Sequence, residues 1–264
     1  MKKRLDVLMV EKGVADSRQK AQALLMTGNV RVNGIAVQKA SQQVEESCEI
    51  TITEGLKFVS RGGLKLEKAL QVFPIDVTGK ICGDIGASTG GFTDCMLQAG
   101  AKKVYSIDVG YGQLDWKLRN DDRVVVMERI NARFIKPEDF EEPFAFVGVD
   151  ASFISLKLLL PAMHTCMADG AEAVVLIKPQ FEAGKGFVGK NGVVRDKNVH
   201  VQVIEDVVAF ASETGFSIAG LNFSPITGPK GNIEFLLYLK KSDEEDVVLD
   251  VPKTVDDAHE SHHS

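Results

Sequence analysis

The chain has 264 residues, of which 44% are hydrophobic and 26% charged, a composition typical of a soluble globular protein. No apolar run reaches the ~18 residues that a membrane-spanning helix needs, and the basic start Met1–Arg4 lacks the apolar stretch of a secretion signal. The four cysteines are far apart and form no CxxC pair, which argues against a disulfide framework or a zinc site and indicates a reducing cytoplasm.

Charge is unevenly distributed along the chain, whose net charge is −6. Residues 1–40 hold eight Lys and Arg against three acids, a net charge of +5, whereas residues 241–264 have a net charge of −6. Phosphate contacts depend on local charge, because exposed charges are screened beyond about 10 Å. The basic N-terminal segment therefore fits nucleic-acid binding, and it fits an ordinary solvated face equally well.

The first 57 residues predict a small α+β domain. Apolar residues at helical spacing indicate two short helices, the second of which ends at Gly28. Asn33-Gly34 lies between alternating apolar residues, which is the strongest short signal of a β-hairpin, since a type I′ turn needs positive φ twice. A further strand over residues 49–52 completes the domain.

Residues 58–63 read as a linker, and residues 64–241 read as a second domain in which strands and helices alternate. Such alternation predicts a Rossmann-like α/β sheet that is mostly parallel and covered on both faces. Only a turn separates the last two strands, so we expect the final strand to be antiparallel. The acidic segment 242–264 is predicted to be disordered. The predicted strands are 81–85, 103–107, 124–127, 144–149, 173–177, 217–223 and 234–239.

A glycine-rich loop follows the first strand of this sheet and opens a helix, where backbone can approach a ligand closely. It lacks the GxGxxG spacing of dinucleotide enzymes and the Gly-Lys-Ser/Thr of a Walker loop. By itself it could be a tight turn without a ligand. Asp108 ends the next strand, however, where a carboxylate can accept hydrogen bonds from both ribose hydroxyls of a nucleoside. The pair predicts S-adenosylmethionine, with Asp84 near its ammonium group. The predicted contacts are Asp84, Gly86, Ser88, Thr89, Gly90, Gly91, Phe92 and Asp108.

Charged residues fall at the ends of several predicted strands. Asp150 ends the fourth strand, Lys178 ends the fifth, and Glu234 begins the antiparallel one, which starts where its parallel neighbours end. Lys65 lies in the helix that precedes the sheet. Each alone could be a surface ion pair. Asp150, Lys178 and Glu234 together predict a reaction site, because chemistry in open α/β sheets lies at the carboxyl ends of the strands.

The order Lys65, Asp150, Lys178, Glu234 resembles the catalytic tetrad of the FtsJ-like ribose 2′-O-methyltransferases. In those members that respond to heat shock, an Ala-Pro pair stands where this chain has Ser88-Thr89. The resemblance implies that Lys178 takes the proton of a ribose hydroxyl, that Asp150 and Glu234 position it, and that Lys65 orients the ribose. A lysine can be such a base only if its pKa falls from about 10.4. No metal is required.

The N-terminal segments Ser17–Ala21 and Gly28–Gly34 resemble the αL RNA-binding motif of ribosomal proteins. With Ser60–Leu66 and Gly231–Leu236, the chain resembles the TlyA family through about residue 240, and the acidic tail lies outside that pattern. The resemblance implies methylation of a cytidine ribose in 23S or also 16S ribosomal RNA, with ribosomal RNA or ribosomal subunits as the partner. It implies an adenine contact by Asn131. The expected RNA contacts are Arg4, Arg18, Lys20, Arg31 and Arg61.

Other functions are compatible with parts of the sequence. The TlyA family carries a haemolysin label, which would mean a membrane-active protein, although no spanning segment or secretion signal is present. A non-catalytic RNA-binding factor of ribosome assembly would not need all four tetrad residues. A protein or small-molecule methyltransferase would not need the αL motif. The target nucleotide and the oligomeric state stay open.

Overall fold

The computed structural model describes residues 2–26, 30–37, 39–52, 57–189, 191–228 and 230–263. Internal contacts divide the chain into two compact units, Met1–Lys57 and Phe58–Ser264, called here the N-terminal and the C-terminal unit. Gly28 and Asn29 of the predicted RNA-binding motif lie outside the described residues.

The N-terminal unit is a small α+β domain. Strand β1 pairs with β4, and β2 pairs with both β3 and β5, all antiparallel. The two helices and these strands enclose one small apolar core that includes Leu5, Met9 and Leu25. Its elements are β1 Lys2–Arg4, α1 Leu5–Glu11, α2 Arg18–Met26, β2 Val30–Val32, β3 Ile35–Ala36, β4 Gln43–Glu45 and β5 Ile50–Ile52.

The predicted hairpin between β2 and β3 is confirmed. Asn33 has φ of +49° and Gly34 has φ of +79°, the two positive values that a type I′ turn requires. Val32 pairs with Ile35 across this turn. The register places Arg31 on the exposed face of β2 and leaves Val30 and Val32 in the core.

The C-terminal unit is built on one sheet with the strand order β11-β12-β10-β9-β6-β7-β8. Its strands are β6 Ile81–Ile85, β7 Lys103–Asp108, β8 Val124–Glu128, β9 Phe144–Val149, β10 Met167–Ile177, β11 Ser217–Phe223 and β12 Phe235–Lys240. Its helices are α3 Gly62–Val72, α4 Gly91–Gln98, α5 Trp116–Arg119, α6 Leu160–Cys166, α7 Pro179–Glu182, α8 Lys197–Glu213 and α9 Val251–His263.

The sheet confirms the predicted α/β class. Strand β12 is antiparallel to β10 and β11, and the other pairings are parallel. Side chains alternate between two apolar cores, so that Ile81 and Ile85 lie in one core while Cys82 lies in the other. Burial on both faces explains why the strands are continuous apolar runs in the sequence.

Residues 58–63, predicted to be a linker, belong to the C-terminal unit. The ring of Phe58 is 3% exposed and packs in the core, and the Val59 N–H donates to Asp94 Oδ2 at 2.8 Å. Helix α3 begins at Gly62, where a helix from Leu64 was expected. Gly63 makes this start possible, because a Cβ there would collide with the Phe58 ring.

The prediction that the acidic segment 242–264 is disordered is wrong for its second half, which forms helix α9. Val251, Val255 and Ala258 recur at helical spacing, and all three are buried in the same core as Ile81. The acids of this helix, Asp256, Asp257 and Glu260, lie on its exposed face, so net charge concealed an amphipathic pattern.

Candidate active site

The four residues of the predicted tetrad converge at the carboxyl rim of the sheet. Asp150 follows β9, Lys178 follows β10, and Glu234 directly precedes the antiparallel β12. Lys65 reaches the same place from helix α3. Its Nζ lies 3.2 Å from Asp150 Oδ2 and 2.7 Å from Glu234 Oε2, while Lys178 Nζ lies 2.6 Å from Asp150 Oδ1. The four side chains therefore form one chain of alternating charge.

Lys65 has more carboxylate neighbours than Lys178. Burial opposes its charged form, but the carboxylates of Asp150 and Glu234 outweigh burial, so the pKa of Lys65 is raised above its ordinary value. Glu234 is 1% exposed, so this ion pair is shielded from water. Lys65 is therefore a persistent cation between two carboxylates.

Lys178 has a different set of partners. Besides Asp150, its Nζ donates to Ser152 Oγ at 2.9 Å and to the Asp150 carbonyl at 3.3 Å. One carboxylate thus faces Lys178, whereas two face Lys65. Ser152 was not predicted from the sequence, although its place two residues after a strand-ending acid could have indicated it.

Close backbone packing between α3 and α4 brings Lys65 over the rim. A Cβ at Gly91 would lie 2.7 Å from the Gly63 nitrogen, so only glycine permits this approach. Gly62 lies on the same contact, and a Cβ there would face Asp150 Oδ2 at 3.6 Å. The Arg61-Gly62-Gly63 motif therefore acts by setting the distance between the two helices.

The glycine loop runs from the end of β6 to the start of α4. Gly86 has φ of +83°, and a Cβ there would lie 2.8 Å from the Ala151 backbone, so the loop packs against the segment that holds Asp150. Ser88 is also left-handed, with φ of +48°, and with Thr89 it forms the exposed tip. Gly90 has φ of +97° and is the N-cap residue of α4.

Asp108 ends β7 beside this tip. Its Oδ2 accepts the Ser88 N–H at 2.8 Å, and its Oδ1 accepts the Gly110 N–H at 2.6 Å. A carboxylate oxygen has a second lone-pair site, and Asp108 is half-exposed, so both oxygens can still accept a hydroxyl. The two backbone hydrogen bonds thus hold the Asp108 carboxylate in one orientation beside the loop.

Two residues predicted to contact a cofactor lie inside the protein. Phe92 is 2% exposed, and its ring fills the space above Gly148, where a Cβ would lie 2.7 Å from it. Asp84 is fully buried, and its Oδ2 accepts from Thr93 N at 2.9 Å and from Thr93 Oγ1 at 2.6 Å. Their side chains therefore support the loop from beneath, because the strand and helix on which they lie point them into the core.

Asp84 still influences the site through its charge. Burial, together with the charges of Asp150 and Asp108, raises the pKa of Asp84 to about 7, against the hydrogen bonds from Thr93. Its Oδ1 is buried and has no hydrogen-bond partner among the described residues. A positive charge held at the open side of the loop would stabilise the ionised form of this carboxylate.

An open groove of about 720 Å³ is lined by residues that follow Asp150 and Lys178 closely in the chain, among them Phe153 and Gln180. Asn131 lines the groove, and its Oδ1 accepts the Arg133 N–H at 3.1 Å. Phe153 also lines the groove, and it is 90% exposed with φ of +64°, an unusual conformation for an aromatic residue. Its ring centroid lies 5.1 Å from that of Phe181.

Glu182, which was not predicted, holds the segment between Asp150 and the groove. Its carboxylate accepts from Ser155 Oγ at 2.6 Å and from the Leu156 N–H at 2.8 Å. Burial raises the pKa of Glu182, and these two hydrogen bonds oppose the rise. The segment that presents Ser152 and Phe153 is therefore fastened to α7.

Two of the residues predicted to bind RNA take part in a structural cluster of the N-terminal unit. Arg4 and Arg18 donate to Asp6 Oδ2 at 2.9 and 3.0 Å, and Asp6 is fully buried. The hydrogen bond from Arg4 outweighs burial and holds the pKa of Asp6 far below its usual range. Part of the positive charge counted in the sequence is thus paired with a buried carboxylate, although both arginine side chains are themselves exposed.

The other predicted RNA contacts are exposed. Lys20 forms a surface ion pair with Asp16 at 2.5 Å, and Arg31 donates to the Gly34 carbonyl at 3.1 Å. Arg61 is exposed at the start of α3 in the C-terminal unit. These three side chains remain available to phosphate groups.

The comparison with known families decides the class of protein. A model described as FtsJ-like methyltransferase matches residues 58–241. The chain belongs to the FtsJ-like methyltransferase family. A second model, the S4 domain, matches residues 3–50, the N-terminal unit of this methyltransferase. The predicted methyltransferase sheet and the predicted RNA-binding domain are both confirmed.

Relatives cover nearly the whole methyltransferase chain. YqxC of Bacillus subtilis (strain 168), which carries the provisional name of an rRNA methyltransferase, is 49% identical over 98% of this chain and 95% of its own. The 16S/23S rRNA (cytidine-2′-O)-methyltransferase TlyA of Mycobacterium tuberculosis is 45% identical over 90% of this chain and 89% of its own. A solved structure from Streptococcus thermophilus, provisionally named a hemolysin, is 49% identical with a TM-score of 0.79 and covers 99% of this chain and 97% of its own.

The hemolysin name of that structure raises the question of membrane contact. In the part of the chain that the structure describes, no helix combines the length and the apolar character needed to cross a bilayer. The same described residues contain no cluster of three or more His, Cys, Asp or Glu able to hold a metal ion. His259 and His262 belong to the segment that was predicted to be disordered and lie on α9.

Proposed function

We propose that this methyltransferase transfers a methyl group from S-adenosylmethionine to the ribose 2′-hydroxyl of a cytidine in ribosomal RNA. The observation that carries the proposal is the contact between Lys65, Asp150, Lys178 and Glu234 at one rim of the sheet. The name of the Mycobacterium tuberculosis relative and the S4 match at residues 3–50 support the choice of substrate. A ribosomal substrate requires a location in the cytoplasm.

A ribose hydroxyl is a poor nucleophile near neutral pH, so a neighbouring group must accept its proton. We assign this role to Lys178. A lysine accepts a proton only when it is neutral, and each carboxylate nearby favours the charged form. Two carboxylates face Lys65 and raise its pKa, so of the two lysines it is the less suited to accept a proton. Asp150 and Ser152 then orient the Nζ of Lys178.

Lys65 acts as a fixed cation in this proposal. Its raised pKa keeps it charged through the reaction, and it holds Asp150 and Glu234 in place from the side opposite Lys178. A fixed cation next to the reacting hydroxyl stabilises the negative charge that grows on the oxygen as the proton leaves. Lys65 therefore orients the ribose and polarises its hydroxyl.

The residues around the glycine loop fit S-adenosylmethionine. Asp108 would hold the ribose hydroxyls of the cofactor, the amide NH₂ of Asn131 would donate to the adenine edge, and the backbone of Gly86, Ser88, Thr89, Gly90 and Gly91 would line its other side. The unpartnered Asp84 Oδ1 beneath the loop favours a cation above it. When bound, S-adenosylmethionine supplies an electrophilic methyl group next to a positively charged sulfur.

The N-terminal unit supplies affinity for structured RNA in this proposal. Lys20, Arg31 and, in the C-terminal unit, Arg61 offer exposed cations for phosphate groups. Such contacts position an RNA without reading its sequence, so we assign the choice of nucleotide to the groove that Asn131 and Phe153 line. The exposed Phe153 ring in that groove offers a face on which an unstacked base can lie.

The experiment that tests this function is transfer of a labelled methyl group in vitro. Purified protein is incubated with labelled S-adenosylmethionine and isolated ribosomal subunits or protein-free ribosomal RNA, and the RNA is digested to nucleosides. We expect the label in 2′-O-methylcytidine and its loss with Glu234→Gln. Label in a base-methylated nucleoside or in ribosomal protein would contradict the proposal.

A further inference from the structure

Helix α9 lies beyond the part of the chain that matches the FtsJ-like family model, which ends at residue 241. Two of its side chains, His259 and His262, nevertheless reach buried polar groups of the methyltransferase unit. Each histidine begins a chain of hydrogen bonds, called here a path, and both paths end beside Glu234. A helix outside the family pattern is thus connected to the tetrad.

The first path starts with a pair of histidines. His259 Nε2 lies 3.0 Å from His200 Nδ1, and His200 Nε2 lies 3.2 Å from the Val194 carbonyl. A carbonyl only accepts, so His200 Nε2 carries the hydrogen and its Nδ1 accepts in the neutral ring. His259 Nε2 is therefore the donor. His200 is fully buried and His259 is 8% exposed, so both rings are held in fixed tautomers.

Asn232 continues this path to the tetrad. Its Oδ1 accepts the Val194 N–H at 3.0 Å, and its Nδ2 donates to the Gly192 carbonyl at 2.9 Å. Asn232 is 3% exposed and precedes Glu234 by two residues. The same Val194 peptide thus bonds to His200 on one side and to Asn232 on the other, and it ties the histidine pair to the strand that presents Glu234.

The second path is shorter. His262 Nε2 lies 2.9 Å from the Ser224 carbonyl, so it donates there. The Ser224 N–H in turn donates to the Glu234 carbonyl at 2.8 Å. Ser224 is fully buried. Helix α9 therefore fixes backbone on both sides of Glu234, at the end of β11 and through the segment before β12.

We propose that helix α9 is a positioning element of the active site and that His259 is a positioning residue for Glu234. Glu234 must lie 2.7 Å from Lys65 for the fixed cation to stay in place. The histidine pair holds the Val194 peptide, and Asn232 transmits this restraint along the chain. The proposal rests on the proposed methyl transfer by the tetrad, in which Glu234 and Lys65 hold the ribose site together.

The test compares His259→Ala with Lys253→Ala, a control on the exposed face of the same helix, where Lys253 pairs with Asp257 in the next turn. Turnover, KM for RNA and cofactor affinity are measured for both. Loss of one hydrogen bond predicts a fall in kcat of about fivefold to tenfold for His259→Ala, with unchanged cofactor affinity. His259→Gln, whose amide can donate to His200, should restore most of the kcat. Lys253→Ala should match the wild type.

The effect must also depend on Glu234. In a Glu234→Gln background, His259→Ala should cause no further loss of the residual kcat, because the group that it positions is already disabled. Full additivity of the two losses would overturn the proposal. So would an unchanged kcat in His259→Ala with only a lower melting temperature, since that is the result of a purely structural contact.

Amide hydrogen exchange provides a readout that does not need turnover. In His259→Ala, the N–H groups of Val194 and Ser224 should exchange faster than in the wild type and in Lys253→Ala. If the wild-type protein transfers no methyl group, the proposed function fails, and this exchange result still decides whether α9 is coupled to the segment around Glu234. Unchanged exchange at both sites would refute the coupling. If His259→Ala does not fold, His262→Ala is measured in its place.

Discussion

Replacing Lys65 with methionine removes the cation that lies between two carboxylates. The Lys65 side chain is 9% exposed and that of Glu234 is 1% exposed, and Lys65 Nζ lies 2.7 Å from Glu234 Oε2. Without Lys65, the Glu234 charge would stay buried and would lose this partner. Breaking a buried ion pair in this way costs about 3–5 kcal/mol. In a protein of this size 1 kcal/mol shifts the melting temperature by roughly 2–4 °C, so we expect a fall of roughly 6–20 °C.

The assay is thermal and urea unfolding of the purified variants, followed by methyl transfer. The matched control is the double variant Lys65→Met with Glu234→Leu, which removes both charges together. Replacing a buried pair with apolar groups of similar volume is often neutral, so this variant should recover most of the stability and none of the activity. A Lys65→Met protein that melts like the wild type, or a double variant as unstable as the single one, would refute the assignment of a buried pair.

Further predictions follow from individual contacts. Lys178→Ala should lower turnover on the order of 100- to 10,000-fold with cofactor affinity intact, and Lys178→Arg should not restore turnover, because guanidinium keeps its proton; a fully active Lys178→Arg would exclude the base assignment. Asp108→Ala should weaken S-adenosylmethionine binding in calorimetry, whereas preference for NAD would contradict the cofactor. Lys20→Ala and Arg31→Ala should each reduce the salt slope of RNA binding by about one unit, and an unchanged slope would place the RNA elsewhere. Burial, and to a lesser extent the charge of His259, lowers the pKa of His200 to about 4. As the pH drops, the unfolded state therefore gains a proton before the folded state does, and the melting temperature should fall between about pH 6.5 and 4. In His200→Asn this pH dependence should be smaller.

The sequence was sufficient for the sheet because its strands are continuous apolar runs that end at polar residues. The bounds Ile81–Ile85 and Phe144–Val149 are as predicted. Asp150, Lys178 and Glu234 could be placed together from the sequence, because each lies at the end of a recognisable strand and these ends share one rim of the sheet. Lys65 could be included only through the resemblance, because the packing of Gly63 against Gly91 is a tertiary contact.

The directions of side chains and the pairing of charges could not be predicted in the same way. A motif gives the position of Asp84 along the loop, but burial beneath that loop depends on helix α4, which supplies Thr93. A count of basic residues includes Arg4 and Arg18, yet both bond to the buried Asp6. Mutating these two arginines would therefore test the stability of the N-terminal unit more than its affinity for RNA.

The acidic tail shows the limit of composition as evidence. Its net charge is typical of disorder, but Val255 and Ala258 lie at helical spacing and are buried. His259 then joins the fully buried His200, a contact between residues that lie far apart in the chain. The helical spacing of apolar residues in this segment can be read from the sequence, whereas the surface against which they pack exists only in the folded protein.

The central claim is that the four residues at the rim methylate a cytidine ribose in ribosomal RNA. The most direct measurement is a map of ribose methylation over all ribosomal RNA from cells with the protein, without it, and with Glu234→Gln in its place. The account predicts that methylation at one or more specific cytidines is present only with the wild-type protein and that no other modification changes. Identical ribose methylation in the three cell types would contradict it.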